Sequence, residues 1–275
     1  MSYNIIMLTD VHTHSTYSYD GDAPLEAMLQ KAAALGLAYY GVSEHFNYDV
    51  LVDRALPDIP MINQAEYFSG ARALQAEYAG KLRVLVGGEF GFSPTPAAQR
   101  MYLETIEKYR PDFVVNSVHT LFGADVWYPE AFRGKTRDVM YRAYLERVRE
   151  SLDAEYDYDI VGHIGYVARN APYENNLLRY EDFPQLFDDI LREIIRRDKI
   201  LEINSSSRSA GDYLPGEDVL ARYYALGGRK VSFASDSHGP DTIIRKRGLV
   251  VEALKKAGFD CITVPDRGKH ISAPF

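Results

Sequence analysis

Seven short apolar runs recur along the chain, and each has the length of a buried β-strand. They cover residues 5–8, 38–43, 82–86, 113–118, 158–162, 200–203 and 230–235. Between the first two runs, apolar residues recur at helical spacing from near Asp22 and Pro24 until Gly36, which predicts a helix there. Further helices are expected at residues 63–78, 97–109 and 136–153, and residues from 46 to about 62 have the composition of a loop.

This alternation of strands and helices predicts a parallel sheet of class α/β, and seven such units fit a barrel better than an open sheet. The length of 275 residues and the hydrophobic content of 46% suit a single domain over residues 1–275. In barrels of this type the functional site lies at the C-terminal ends of the strands. We therefore expect the candidate functional residues at the C-terminal ends of the predicted strands.

Six of the seven predicted strands lead directly into His, Glu or Asp, and the exception is the sixth, which ends at Asn204. Six of the seven histidines of the chain stand at these strand ends, and only His270 stands elsewhere. The first run leads to His12 and His14, which share a strand face because side chains alternate. One such pair is a weak indication of a metal site, but its repetition at strand after strand is a strong one.

The candidate metal ligands are His12, His14, Asp20, His45, Glu89, His119, His163, Asp236 and His238. Nine ligands are too many for one ion, because zinc, iron and manganese each take about four to six. Two to three divalent ions would use the whole set, and Glu89 could bridge two of them through its two oxygens. The alternative is that buried histidines satisfy one another and the carboxylates, which would leave several charged groups converging without a counterion.

Composition narrows the choice of partners. The net charge of -8 argues against a nucleic-acid surface, which needs clustered Lys and Arg, but allows a small phosphorylated ligand. The sequence has no apolar stretch of 18 residues and no signal-peptide pattern at its N-terminus, so no membrane partner is expected. Its single cysteine, Cys261, cannot form an internal disulfide, which suits a cytoplasmic location. The oligomeric state stays open.

Six short motifs carry the candidate ligands. They are His12-Thr13-His14 with Asp20 six residues later, Ser43-Glu44-His45, Gly88-Glu89, Ser117-Val118-His119, Gly162-His163 and Asp236-Ser237-His238. In these motifs, and over nearly the whole chain, the sequence resembles the polymerase and histidinol phosphatase (PHP) superfamily. The resemblance implies a distorted (β/α)7 TIM-like barrel with a trinuclear metal site, in agreement with the seven predicted strands.

The resemblance also implies how the ligands are shared among three ions. The first ion would be held by His12, His14, Glu89 and Asp236, the second by Glu89, His119 and His163, and the third by Asp20, His45 and His238. Some members of the superfamily carry His at the position of Asp20. The aspartate keeps a ligand there and makes the third site more anionic.

Within the superfamily, the chain length, Asp20 and the strand end at Asn204 followed by Arg208 most resemble the phosphatases that hydrolyse L-histidinol phosphate in histidine biosynthesis. The expected function is therefore metal-dependent hydrolysis of a small phosphate monoester, with in-line attack on phosphorus by a hydroxide bridging two metals. Two alternatives stay open. One is a phosphoesterase of the same superfamily acting on a nucleotide, a nucleic-acid end or phosphotyrosine. The other is a non-catalytic metal-binding module, which is expected to lack a ligand, and none is missing here.

The leaving alkoxide needs a proton, and the candidate catalytic donors are Asp236 and His238, although a metal-bound group is a poor acid. Two arginines are expected to bind the phosphate through their guanidinium forks. Arg208 follows the sixth strand and Arg169 lies six residues beyond His163, so both should reach the same barrel mouth. The alternative for each is a surface arginine.

The amine and imidazole of a histidinol-type substrate need further partners. The candidates are Glu44, which stands next to His45, and the aromatic residues Phe46, Tyr166 and Phe122. For each of them the alternative is ordinary packing around the barrel mouth.

Overall fold

A computed structural model describes residues 6–53, 59–206 and 212–275. Its main sheet has seven parallel strands whose spatial order follows the chain. The strands are β1 Thr9–Asp10, β2 Tyr39–Phe46, β3 Arg83–Gly91, β4 Val114–Ser117, β5 Ile160–Val161, β6 Ile200–Asn204 and β7 Val231–Ala234. The predicted parallel α/β architecture is confirmed.

Eight α-helices accompany the sheet in the described part of the chain. They are α1 Leu25–Ala34, α2 Tyr48–Asp53, α3 Gln64–Glu77, α4 Pro96–Tyr109, α5 Arg137–Ser151, α6 Pro184–Arg196, α7 Glu217–Ala225 and α8 Arg247–Ala257. Asn63, Thr95 and Thr136 cap α3, α4 and α5 by accepting a backbone N–H bond. The prediction of a continuous loop from residue 46 to 62 is wrong, because α2 lies there with Tyr48 and Val50 buried. None of these helices is long and apolar enough to cross a lipid bilayer.

The first and last strands meet and bring the sheet round into a barrel. The Val11 amide donates to the Phe233 carbonyl at 3.4 Å, and beyond the strands the Asp236 amide donates to the His12 carbonyl at 2.9 Å. β1 is shorter and later than the predicted run at residues 5–8. Ile6 is 64% exposed, and the amide of Met7 donates to Pro274 near the C-terminus at 3.0 Å instead of joining a strand of the barrel.

The barrel interior holds a hydrophobic cluster of its own, separate from the larger core between sheet and helices. It contains Val11, Leu85, Phe113, Val115, Ile160, Ile200, Val264 and Ala273. The ring of Phe113 occupies space that two strand glycines leave open: a Cβ on Gly87 would lie 2.5 Å from that ring, and one on Gly41 would lie 2.9 Å from it. Close packing inside the barrel therefore depends on glycine at both positions.

A C-terminal hairpin, Cys261–Asp266 paired antiparallel with Lys269–Pro274, closes the lower end of the barrel. Val264 and Ala273 enter the interior cluster. Arg83, the first residue of β3, binds Asp266 through two hydrogen bonds of 2.9 and 2.8 Å. The hairpin therefore covers the N-terminal ends of the strands and leaves their C-terminal ends open.

Substituting Phe113 by alanine is expected to destabilise the protein by about 3–5 kcal/mol, because it opens a cavity between strands that cannot collapse onto it. Thermal or urea unfolding of the two proteins measures this difference. The control is Leu249→Ala on α8, where the side chain is 47% exposed and the expected change is within about 0.5 kcal/mol. Equal stability losses in the two variants would contradict the assigned role of the Phe113 ring.

Candidate metal centre

All nine predicted ligands gather at the C-terminal end of the barrel. His45 and Glu89 lie within β2 and β3 and are direct partners in the strand register, so their side chains point to the same face. The other seven lie in the segments that follow the strands. A cavity of about 260 Å³ opens here, and seven of the nine ligands line it. His12 and His14, which are fully buried, do not line it.

The carboxylate of Glu89 is the centre of the cluster, and five imidazoles surround it. The nitrogen–oxygen distances are 2.8 Å for His163, 3.2 Å for His119, 2.7 Å for His45, 3.5 Å for His12 and 3.7 Å for His14. Ser117 donates a hydrogen bond of 2.7 Å to the Oε1 atom of Glu89. Gly162 makes room for this contact, since a Cβ there would lie 2.3 Å from the Ser117 hydroxyl.

Two further carboxylates flank this centre. Asp236 Oδ1 lies 3.3 Å from His14 Nε2 and 3.8 Å from His12 Nε2. Asp20 Oδ2 lies 3.3 Å from His238 Nε2 and 3.6 Å from His45 Nε2. The backbone of Asp236 is left-handed, with φ of 51°, which aspartate tolerates better than most residues.

The donor set fits divalent metal ions. Three groups of three residues each bring their ligand atoms within 4.8 Å of one another: His12, His14 and Asp236; His12, Glu89 and His163; and His14, His45 and His238. The Nε2 atoms of His12 and His14 are buried and have no hydrogen-bond partner, although both lie beside carboxylates. Buried imidazole nitrogens of this kind are suited to hold a metal. The groups overlap with the three expected sets, whose division among ions stays a prediction.

Electrostatics separate the histidines into two groups. Burial disfavours the imidazolium form, but Glu202 and Glu89 outweigh burial and raise the pKa of His12 well above its ordinary value. Nearby carboxylates likewise overcome burial and raise the pKa of His45, His119 and His238. Burial lowers the pKa of His163, and burial together with neighbouring imidazoles lowers the pKa of His14 to about 3.

The two central carboxylates are held ionised. Burial opposes this, but His12, His119 and His45 hold the pKa of Glu89 well below its usual range. Burial also opposes the ionisation of Asp236, but His14, His12 and Arg169 hold its pKa well below the usual range. The cluster therefore presents anionic oxygens to whatever cation it binds.

Of the two arginines expected at the barrel mouth, Arg169 lines the cavity. Both of its terminal nitrogens lie 3.2 Å from Asp236 Oδ2, and its guanidinium carbon lies 4.8 Å from the centre of the Tyr166 ring. Arg208 lies outside the described residues. Asp236 and His238, the two candidate proton donors, both line the cavity.

Three of the expected substrate contacts are elsewhere. Glu44 is fully buried, does not line the cavity, and accepts hydrogen bonds from the hydroxyls of Ser15 and Ser18. Phe46 is also fully buried in the core, whereas Phe122 is 59% exposed at a hairpin turn. Both Glu44 and Phe46 neighbour His45 in β2, so strand alternation turns them to the opposite face from it. These placements do not fit a contact with the substrate, whereas Tyr166 does line the cavity.

Several cavity residues have no counterpart among the predicted site residues. They are Tyr19, Asn47, Asp125, Trp127, Tyr128 and Ser206. Asp125 reaches the cavity from a short hairpin, Thr120–Leu121 paired with Ala124–Asp125, which inserts after β4. Because it lies on no barrel strand, the strand-end pattern could not reveal it. Glu202 of β6 is also absent from the predicted site residues. It shares a strand face with Asn204, so the alternation of side chains along the strand could have indicated it.

An α/β barrel that brings nine imidazole and carboxylate side chains together at its strand ends belongs to a class of proteins suited to bind divalent metal ions there. The family model described as "PHP domain" matches residues 10–206 of this chain, which is well over half of its length. The chain therefore belongs to the PHP family.

Individual relatives agree with this assignment. The chain is 27% identical over 260 residues to the histidinol-phosphatase of Lactococcus lactis, and the match covers 91% of each chain. It is similar, with a TM-score of 0.79 and 27% identity, to the crystal structure of histidinol phosphate phosphatase from Lactococcus lactis in complex with zinc, L-histidinol and phosphate. That match covers 96% of this chain and 98% of the other. A Listeria monocytogenes structure with 22% identity and a TM-score of 0.77 supports the fold.

Proposed function

We propose that this protein is a metal-dependent phosphatase that hydrolyses L-histidinol phosphate to L-histidinol and phosphate. The observation that carries the proposal is the convergence of a complete ligand set on Glu89, with the guanidinium of Arg169 lining the same cavity. The substrate is suggested by the relatives, since one is a histidinol-phosphatase and the solved structure holds zinc, L-histidinol and phosphate. A cytoplasmic location, expected from the single cysteine, stays a prediction.

The nine ligands would hold two to three divalent ions. When bound, such ions supply a hydroxide nucleophile at neutral pH and positive charge for the phosphoryl oxygens. Arg169 is placed to receive a phosphate oxygen, because it lines the cavity and the two terminal nitrogens that now donate to Asp236 Oδ2 are the donors with which a guanidinium binds phosphate. The two candidate proton donors, Asp236 and His238, both line this cavity, where either could reach the leaving oxygen.

The part of the cavity wall that contains Asp125 suits an organic cation. Asp125 is only 6% exposed, is not among the nine ligands, and lies in a wall that also contains Trp127 and Tyr166. Its Oδ1 atom accepts a hydrogen bond of 2.7 Å from the Trp127 amide. Burial raises the pKa of Asp125, and a cation bound beside it would offset that cost. We propose that Asp125 faces the amine or imidazole of the substrate.

The substrate assignment predicts that kcat/KM for L-histidinol phosphate exceeds that for glycerol phosphate, a nucleoside monophosphate or phosphotyrosine by at least about 100-fold. The measurement is steady-state kinetics on one preparation with its metal content determined. In Asp125→Asn, which keeps the Oδ1 acceptor, kcat/KM for L-histidinol phosphate should fall about 10- to 100-fold.

Glycerol phosphate is the matched control substrate for that variant. It carries no cationic group, so the variant's kcat/KM for it should fall little. Comparable slow rates on all four compounds would remove the histidinol assignment and leave a phosphatase of other specificity. Preference for the nucleotide or for phosphotyrosine would favour the alternative substrates of the family. No turnover by a metal-loaded preparation would favour a non-catalytic module.

A further inference from the structure

The sixth strand, β6, contributes no metal ligand, yet it carries two fully buried polar side chains at its C-terminal end. Glu202 and Asn204 are both 0% exposed and lie on the same face of the strand. Neither lines the cavity. A buried carboxylate is costly unless it is well paired, so its partners indicate its purpose.

Glu202 has three partners, and two of them, His12 and His163, are predicted metal ligands. Its Oε2 atom lies 2.7 Å from His12 Nδ1. Its Oε1 atom accepts from the backbone amide of His163 at 3.0 Å and from the Asn204 side-chain amide at 2.9 Å. An ionised carboxylate can only accept, so the proton of a neutral His12 lies on Nδ1 and the lone pair lies on Nε2.

That lone pair points into the metal cluster. His12 Nε2 is buried without a hydrogen-bond partner and lies 3.5 Å from Glu89 and 3.8 Å from Asp236. The opposite tautomer would place a proton there and leave Nδ1 facing a carboxylate without one. The contact with Glu202 therefore selects the form of His12 that can bind a metal through Nε2.

Asn204 extends the same network to the phosphate side of the cavity. Its Oδ1 atom accepts from Ser206 Oγ at 2.7 Å and from Arg169 Nη2 at 3.3 Å. Arg169 also donates to Asp236 Oδ2 at 3.2 Å, and Ser206 Oγ lies 2.9 Å from the same oxygen, so its one proton can serve either Asn204 or Asp236. One continuous set of hydrogen bonds thus joins His12, Asp236 and the arginine proposed to bind phosphate.

We infer that Glu202 is a positioning residue of the metal centre, which fixes the tautomer and orientation of His12 and, through Asn204, supports Asp236 and Arg169. The inference rests on the proposed role of His12 as a metal ligand. The inference explains why β6 has buried polar side chains at this end of the barrel although it supplies no ligand. These side chains hold the ligands in place through hydrogen bonds. Hydrogen-bond partners of this kind raise the basicity of an imidazole ligand and hold its ring in place.

Glu202→Gln tests the inference. In either orientation the glutamine amide turns a donor towards His12 or towards two existing donors, so the network cannot be fully satisfied. Zinc affinity, measured by competition with a chromophoric chelator, is expected to fall about 10- to 100-fold, and dialysis at limiting free zinc should leave about one ion fewer per chain. Saturating zinc should restore a large part of the phosphatase rate.

The matched control is Asp112→Asn, which also converts a buried carboxylate to an amide and breaks contacts with Arg72 and Arg267, far from the cavity. Both variants should lose stability, but Asp112→Asn should bind zinc as the unmodified protein does. A folded Glu202→Gln protein with unchanged zinc affinity and stoichiometry would overturn the inference.

A measurement on the unmodified protein covers the case in which Glu202→Gln does not fold. In the zinc-loaded protein, ¹⁵N NMR of the His12 ring should show a proton on Nδ1 and zinc on Nε2, and zinc on Nδ1 would refute the assigned contact. Neither zinc binding nor the NMR signal depends on the substrate. Failure of the phosphatase proposal and failure of this inference are therefore separate results.

Discussion

Glu89→Gln is expected to lower kcat for L-histidinol phosphate by at least about 10³-fold, well beyond the 10- to 100-fold typical of residues behind the ligands. The carboxylate stands within 3.7 Å of five imidazoles, and its low pKa keeps it anionic at neutral pH. The amide removes the negative charge and turns a donor group towards nitrogens that must accept a metal. At least one metal ion per chain should be lost with the activity.

Metal analysis, circular dichroism and steady-state kinetics on the same preparation test this expectation. The control is Glu77→Gln, an exposed position at the end of α3, which should change neither metal content nor rate. A folded Glu89→Gln protein that kept its full metal content and turned over at the normal rate would show that the carboxylate does not bridge ions. Added metal is not expected to rescue this variant, in contrast to Glu202→Gln.

Acidification is expected to release metal from the folded protein, with the apparent zinc affinity falling more than tenfold per pH unit because more than one imidazole takes up a proton. The carboxylates raise the pKa of His12, His45, His119 and His238 despite burial, so each binds a proton more readily than a free histidine. Protons and metal compete for the same nitrogens. The apparent metal affinity therefore weakens as the pH falls below these pKa values, and metal is released once protons win the competition.

His14 and His163 should contribute least to this pH dependence. Burial lowers the pKa of both, to about 3 for His14, so they take up protons at a lower pH than the other imidazoles. The measurement is zinc retained after dialysis between pH 8 and pH 5, with activity assayed after return to pH 8. Activity should return when zinc is added back. Full retention of zinc at pH 5, with activity lost only through unfolding, would contradict the expectation.

The clustering of the candidate ligands can be predicted from the sequence, because residues that follow parallel barrel strands must lie at the same end of the barrel. His119 and His163 each follow a strand by two residues, and parallel strands end at one edge of the sheet. His45 and Glu89 were predicted to follow strands but lie within them, and their register still brings them together. The positions of these four ligands depend only on local strand formation and on a barrel order that follows the chain, whereas Asp20 lies ten residues beyond β1 in a loop.

Other residues of the site depend on contacts that no local pattern encodes. Asp125 enters the cavity only because a short hairpin after β4 turns back over the barrel mouth. Glu44 is next to His45 in sequence, but strand alternation turns its side chain to the opposite face, so closeness along the chain does not place it in the cavity. The hairpin that closes the barrel floor has no predicted counterpart. It packs against strands that are distant in sequence, and no local pattern encodes such contacts.

The cavity and the C-terminal hairpin lie at opposite ends of the barrel, and this has a practical consequence for attaching the protein to a surface. Met7 and Pro274, near the two chain ends, are joined by a hydrogen bond of 3.0 Å beside the hairpin that closes the barrel floor, whereas the cavity opens at the opposite end. A tag or tether placed at either end should therefore orient the mouth away from the support. Immobilised protein should accept small phosphate esters as freely as protein in solution.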